Sequence, residues 1–264
     1  MKKKLMIVFL FFALLIVICL ILLYKDQRIT VLGYHDFTEG DSVSNMQMNI
    51  KKFDKQMKYL KDHNYNAITL KQMDCFINKT CKIPRKSVLI TMDDGYKSNY
   101  DLAFKVLKKY NFNGLVFYIG VNYNGENENY MDLKMIKEAK RKYPNIEFAS
   151  HTYDLHHEND YLLSYEEINN DFKKMNNVID TKYFAYPYGH VSHNIEKALK
   201  DNNYKLAFTF GQGKNHRKVK LGDDKYHLPR LFISSDMPFW KFILRLVIPC
   251  LLYTSPSPRD PKTS

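Results

Sequence analysis

Two periods of apolar residues alternate along this chain. Short runs rich in β-branched and aromatic residues at 30–34, 87–92, 114–119, 146–150, 183–186, 205–210 and 228–233 read as buried strands. Between them, Phe53, Met57 and Leu60 recur at helical spacing, as do Leu102, Val106, Leu107 and Tyr110, and again Ile168, Phe172 and Met175. Ser164, three residues before Glu167, predicts a capping box that opens a helix running to about Asp180, and Pro144 closes the helical stretch before it. Strands alternating with helices in this way predict an α/β fold, an irregular (β/α) barrel of about seven strands. In such a barrel, side chains at the carboxyl ends of the strands converge on one mouth.

The two ends of the chain break the pattern. Lys2, Lys3 and Lys4 precede an apolar run over 5–24 that closes at Lys25. About 20 apolar residues span a bilayer as a helix, so the run predicts a single transmembrane signal-anchor. The lysines stay inside by the positive-inside bias, which puts the rest of the chain outside the cytoplasm. A cleaved secretion signal would need small residues before the cut, and 16–23 offers none. Val17 and Ile18 are too bulky for a lipid-modified Cys19. The expected division is a cytoplasmic start and anchor over 1–24, one folded domain over 25–240, an apolar segment over 241–252 and a tail over 253–264. The apolar segment is too short to cross a membrane and suits a docked or interfacial helix. The tail has three of the chain's nine prolines and no apolar pattern; it is expected to be disordered, is foreign in composition to what precedes it, and is assigned no function.

Forty Lys and Arg against 28 Asp and Glu give a formal charge of +12. Such a charge raises nucleic acid as a partner, which the outward topology excludes; what remains is attraction to anionic wall polymers or headgroups, or a solvated face with no partner. With Cys19 and Cys250 in apolar segments, Cys75 and Cys81 form the one close pair, open to a small disulfide loop or to two free thiols.

Three stretches carry chemistry. In VLITMDDG a β-branched strand runs into Asp93, Asp94 and Gly95. Adjacent carboxylates at a strand end repel unless a cation or a proton lies between them. In IEFASHTYDLHH, His151 closes a strand and His156 follows five residues later. A loop turning back between them can bring both imidazoles to one ion, and with Asp94 they complete a set of one carboxylate and two histidines that leaves positions open for water and substrate. The third stretch is YFAYPYG over 183–189.

Together these stretches resemble, in order, three motifs of the polysaccharide deacetylases of carbohydrate esterase family four, the nodulation-deacetylase homology group. The resemblance covers roughly 29–233. It departs from the general pattern in three places: His156 stands five rather than four residues after His151, Ala185 stands where most members have arginine, and a late Leu-x-x-His-Asp motif is absent. These departures are shared with the deacetylases of poly-β-1,6-N-acetylglucosamine, in which a histidine within a GYHxF-like segment replaces the late one; here VLGYHDF supplies His35.

The resemblance implies a hydrolase that removes acetyl groups from an N-acetylglucosamine polysaccharide at the cell surface. It further implies a divalent metal, zinc first with iron, cobalt or nickel as other candidates, held by Asp94, His151 and His156. Asp93 would be the base, His35 the acid and the backbone N–H of Tyr188 the oxyanion donor. Arg230 would take over from the missing arginine by pairing with Asp93, or else form a surface ion pair. Tyr186 and Tyr188 would stack on sugar faces, whereas Trp240 reads as a packing residue and His157 as a distant neighbour of the metal. His63, His190, His193, His216 and His227 read as solvated or structural. Proteins of polysaccharide synthesis and export are the expected partners. Alternatives are a peptidoglycan or chitin deacetylase, an inactive carbohydrate-binding homologue, and a metal phosphohydrolase, for which clustered carboxylates are too few.

Overall fold

The computed structural model describes residues 27–210 and 218–247, with Phe9, Phe12 and Leu14 besides. Apart from those three, the segment over 1–24 expected to form an anchor lies outside the described residues, as do His216 and the tail over 253–264. Among the described residues no helix is long and apolar enough to cross a membrane.

The strands are β1 (Arg28–Tyr34), β2 (Asp36–Thr38), β3 (Gln47–Asn49), β4 (Asn66–Ala67), β5 (Ser87–Met92), β6 (Gly114–Tyr118), β7 (Ile146–Ser150), β8 (Tyr183–Ala185), β9 (Leu206–Phe210), β10 (Val219–Lys220) and β11 (Leu228–Phe232). The helices are α1 (Ile50–Asp62), α2 (Leu70–Ile77), α3 (Phe104–Tyr110), α4 (Leu133–Lys142), α5 (Tyr165–Val178), α6 (His193–Asp201) and α7 (Phe239–Val247). Parallel pairing runs β1-β11-β9-β8-β7-β6-β5, and β5 returns to β1 through Thr30↔Val88 to Tyr34↔Met92, closing a barrel of seven strands. The short β4 joins β5 outside the ring, and β10 runs antiparallel along β1.

Strand alternation sorts the side chains. Ile29, Val31, Leu89, Leu115, Phe117, Ala149, Ala185, Leu206, Phe208 and Leu228 form one buried cluster inside the barrel, which α2 stops below with Leu70, Met73 and Phe76. The opposite faces, including Leu32, Tyr34, Ile90 and Met92, pack under α1, α3 and α4 with Phe53, Met57, Leu60 and Leu107. The capping box forms as expected, with Ser164 bonded to the Glu167 N–H and Glu167 reaching back to the Ser164 N–H. Cys75, in the last turn of α2, is joined in a disulfide to Cys81 just beyond the helix.

Helix α7 docks against α1: Phe242 and Leu246 are buried in the outer core, and Lys55 lies 4.4 Å over the Phe239 ring. Trp240 does not pack as its sequence position suggested. It falls on the face of α7 opposite Phe242 and is 62% exposed.

Candidate metal centre and catalytic mouth

The inward face of β5 carries Leu89, then Thr91, and two residues on Asp93, whose N–H still bonds the Tyr34 carbonyl at 2.9 Å in continuation of the ladder. Asp93 is therefore delivered into the barrel by the pleat. A continued strand would send Asp94 outward, but the chain turns in left-handed conformations at Asp94 (φ 69°) and Gly95 (φ 82°), which keeps both carboxylates at the mouth. A β-carbon at Gly95 would collide with the Tyr118 ring, so glycine is required there for space as well as conformation.

His151 follows the same logic at the end of β7, its N–H bonding the Tyr118 carbonyl at 3.0 Å. Its Nδ1 lies 2.8 Å from the Ala185 carbonyl, which makes Nδ1 the protonated nitrogen and leaves Nε2 free to accept a cation. The loop then returns His156 to the mouth. His151 Nε2 and His156 Nε2 stand 3.5 and 3.2 Å from Asp94 Oδ1. The three candidate ligand atoms all lie within 4.8 Å of one another. Asp94 Oδ1 is buried and accepts no hydrogen bond of good geometry. A buried carboxylate oxygen left without a donor and faced by two imidazole nitrogens fits a divalent cation, and its donor set of one oxygen and two nitrogens suits zinc and its neighbours.

The electrostatics point the same way. Burial pushes the Asp94 carboxyl up, but the His156 ring beside it and the charges of His35 and His151 outweigh this and bring it down to about 2. Burial, only partly countered by Asp93, takes His151 down to about 4, so the ring is neutral and able to ligate near neutral pH.

Arg230 is not at a strand end or on the surface. It occupies the middle of β11 on the inward face, is 1% exposed, and grips Asp93 with two bonds of 2.5 and 2.9 Å. Its guanidinium lies 3.9 Å over Phe210 and 5.0 Å from Phe117. The surface ion pair is excluded by this burial. The charge of Arg230, with His151 and His35, more than offsets the burial of Asp93 and holds its carboxyl below the usual range. Replacing Arg230 with Met leaves that carboxylate buried and uncompensated, a loss worth about 3–5 kcal/mol. Urea unfolding monitored by circular dichroism reads the effect, and a change under about 1 kcal/mol contradicts it.

His35, one residue beyond β1, places Nε2 at 3.9 Å from Asp93 Oδ2. The ring stacks on Phe210 and meets Phe232 edge-on, and its carbonyl accepts a 2.7 Å bond from the buried Asn99 side chain. Tyr188 takes a left-handed φ of 56° in the turn after β8, with its hydroxyl donating to the His156 carbonyl at 3.1 Å. It is 44% exposed and its ring stands 5.1 Å from that of His156.

Tyr186 cannot stack on a sugar. Ala185 takes the inward position, so alternation sends Tyr186 outward into the cluster of Phe172, Phe184 and Tyr204, where it is wholly buried. His157 turns away from the mouth to Asp160, His63 bonds the Tyr59 carbonyl, His190 lies against the Glu158 carbonyl, and His227 pairs with Asp224 and Glu196. Sequence reasoning passed over the stacked pair Tyr96 and Tyr130, 4.8 Å apart, which with Asp36 and Lys97 helps line an open groove of about 950 Å³. The tyrosine that follows the MDDG turn was its signal.

The model of the polysaccharide deacetylase family matches residues 81–207, which takes in Asp93, Asp94, His151, His156 and Tyr188 but neither His35 nor Arg230. Poly-β-1,6-N-acetyl-D-glucosamine N-deacetylases of Staphylococcus epidermidis and Staphylococcus aureus are each 28% identical, over 240 and 245 residues, covering 81% of this chain and 81% of theirs. The structure of IcaB from Ammonifex degensii superimposes with a TM-score of 0.67 at 25% identity, covering 80% of this chain and 93% of that one. The Streptococcus pyogenes deacetylase PplD, in complex with acetate, shares the fold with a TM-score of 0.72 at 22% identity, over 84% of this chain and 99% of that one.

Proposed function

We propose, for a chain that carries the polysaccharide deacetylase domain of carbohydrate esterase family four, that it removes N-acetyl groups from poly-β-1,6-N-acetylglucosamine. The observation that carries this reading is the meeting of Asp94, His151 and His156 within 4.8 Å beside the buried Asp93–Arg230 pair. Two further features support the linkage: the names of the staphylococcal relatives, and His35 of the VLGYHDF segment standing at the mouth where no late histidine motif exists.

Asp94, His151 and His156 would hold a divalent ion, zinc being the first candidate, which when bound supplies a Lewis acid for the acetamide carbonyl and acidifies water. Asp93, kept anionic by Arg230, takes a proton from the attacking water as its oxygen bonds to the carbonyl carbon. The backbone N–H of Tyr188 donates to the oxygen that gains negative charge. His35 Nε2, 3.9 Å from Asp93 Oδ2, delivers a proton to the nitrogen as the C–N bond breaks. Acetate and a glucosamine unit leave. Tyr188 offers an exposed ring to a sugar face, and the groove beside Tyr96 and Tyr130 has room for neighbouring units of the chain.

The apolar run over 5–24 and the lysines before it support an anchored domain facing outward, where this polymer is exported. Acetate release from β-1,6-linked N-acetylglucosamine oligomers is compared with release from peptidoglycan fragments and chitin oligomers, using metal-loaded protein. Turnover of the β-1,6 oligomers at least about tenfold above the others is expected, a margin of about 1.4 kcal/mol in transition-state binding. Activity on peptidoglycan or chitin alone rejects this substrate.

A further inference from the structure

The loop between His151 and His156 must give His156 a fixed position, yet its own conformation is unfavourable. Thr152, β-branched, sits at φ 72°, where such residues are outliers. Two bonds tie the loop sideways, from the Gly120 N–H to the Thr152 carbonyl and from the Val121 N–H to the Tyr153 carbonyl. A third tie comes from beneath. Asp171, on the inward face of α5 between Ile168, Phe172 and Met175, is 5% exposed. Its Oδ1 accepts from the Tyr153 N–H and its Oδ2 from the Asp154 N–H, both at 2.8 Å, and the Leu155 N–H is also directed at it. Three successive amides thus converge on one carboxylate, a nest filled by a side chain of the same molecule.

Among the described residues this carboxylate pairs with no basic side chain, and burial pushes it up to about 6 although the three amides draw it down. An asparagine or an apolar residue would fill the same space on α5 without burying a charge. The carboxylate is matched to the loop, and the loop ends at His156.

We infer that Asp171 is a positioning residue for the metal centre, which sets the affinity of the site by fixing the 153–155 backbone and through it the imidazole of His156. The inference rests on the reading of Asp94, His151 and His156 as metal ligands. Asp171 touches none of the three, so its effect is carried by the loop alone.

The test uses the whole protein and three variants: Asp171→Asn, Asp171→Glu and Asp171→Ser. Zinc affinity is measured against a competing chelator, and hydrogen exchange of the 153–156 amides is followed in metal-free protein. An amide offers one acceptor oxygen where the carboxylate offers two. Asp171→Asn is therefore expected to weaken zinc binding about 10- to 100-fold, the usual effect of losing a partner that orients a ligand. Exchange at 153–155 should quicken about tenfold or more while amides of the barrel strands stay protected. Asp171→Glu should recover most of the affinity, which a residue serving only to fill space would not require. If Asp171→Asn does not fold, Asp171→Ser, too short to span three amides, takes its place. Unchanged zinc affinity in the folded variant, or faster exchange spread evenly over the whole protein, overturns the inference. A wild-type protein that binds no zinc, with 153–155 protected and released only in the variant, instead removes the metal reading and leaves the grip of Asp171 on the loop intact.

Discussion

Asp93→Asn lowers acetate release by about 10²- to 10⁴-fold, the range general-base catalysis supplies, while zinc per chain stays at the wild-type value. The asparagine keeps an oxygen for Arg230 but cannot take a proton from water, so the substitution separates the base from the ligand set. It also leaves the Arg230 guanidinium buried without a counter-charge, 1% exposed over Phe210. Some loss of stability accompanies it, and the rate is to be measured well below the unfolding midpoint shown by circular dichroism. Full activity in folded, metal-loaded Asp93→Asn rejects Asp93 as the base.

Removing the metal has the larger effect. With the ion stripped by chelator, acetate release should fall at least about 10³-fold, since Lewis-acid stabilisation is worth several kcal/mol and each 1.36 kcal/mol is a tenfold change. Zinc, cobalt or nickel added back should restore it. Asp94→Ala should behave as the stripped enzyme even with zinc present, because it deletes the one carboxylate oxygen faced by both histidines. Its fold should survive, since Asp94 lies in the turn after β5 rather than in the Asp93–Arg230 pair.

How much of this was legible in the sequence follows from the range of the interactions involved. The barrel strands were readable because each is a short apolar run buried on both faces, a pattern that needs no knowledge of partners. The convergence of Asp94, His151 and His156 was readable because strand ends meet at the mouth of a barrel, so MDDG and SHTYDLH predict a meeting of side chains 57 to 62 residues apart. Arg230 was half legible: its partner was foreseen, but its depth was not, because burial of a guanidinium depends on Phe117 and Phe210 closing over it from β6 and β9.

Tyr186 failed on a parity of one residue. The motif reads as a row of tyrosines, and only the strand register Ala185↔Phe208 decides that Tyr186 faces outward. Trp240 failed similarly, since the phase of a nine-residue helix is set by what it docks against. Asp171 gave no signal at all, being an acid among acids and amides in an amphipathic helix, and its role exists only through backbone amides 16 to 18 residues away.

The central claim is that one cation is gripped by side chains from two strand ends and the loop that follows the second. Its most direct test is a crystal structure of the zinc-loaded protein with anomalous data collected on either side of the zinc edge. The account predicts one edge-dependent peak about 2.0–2.2 Å from an Asp94 oxygen, His151 Nε2 and His156 Nε2. A protein that deacetylates at full rate with no peak there, or with the zinc bound elsewhere, contradicts it.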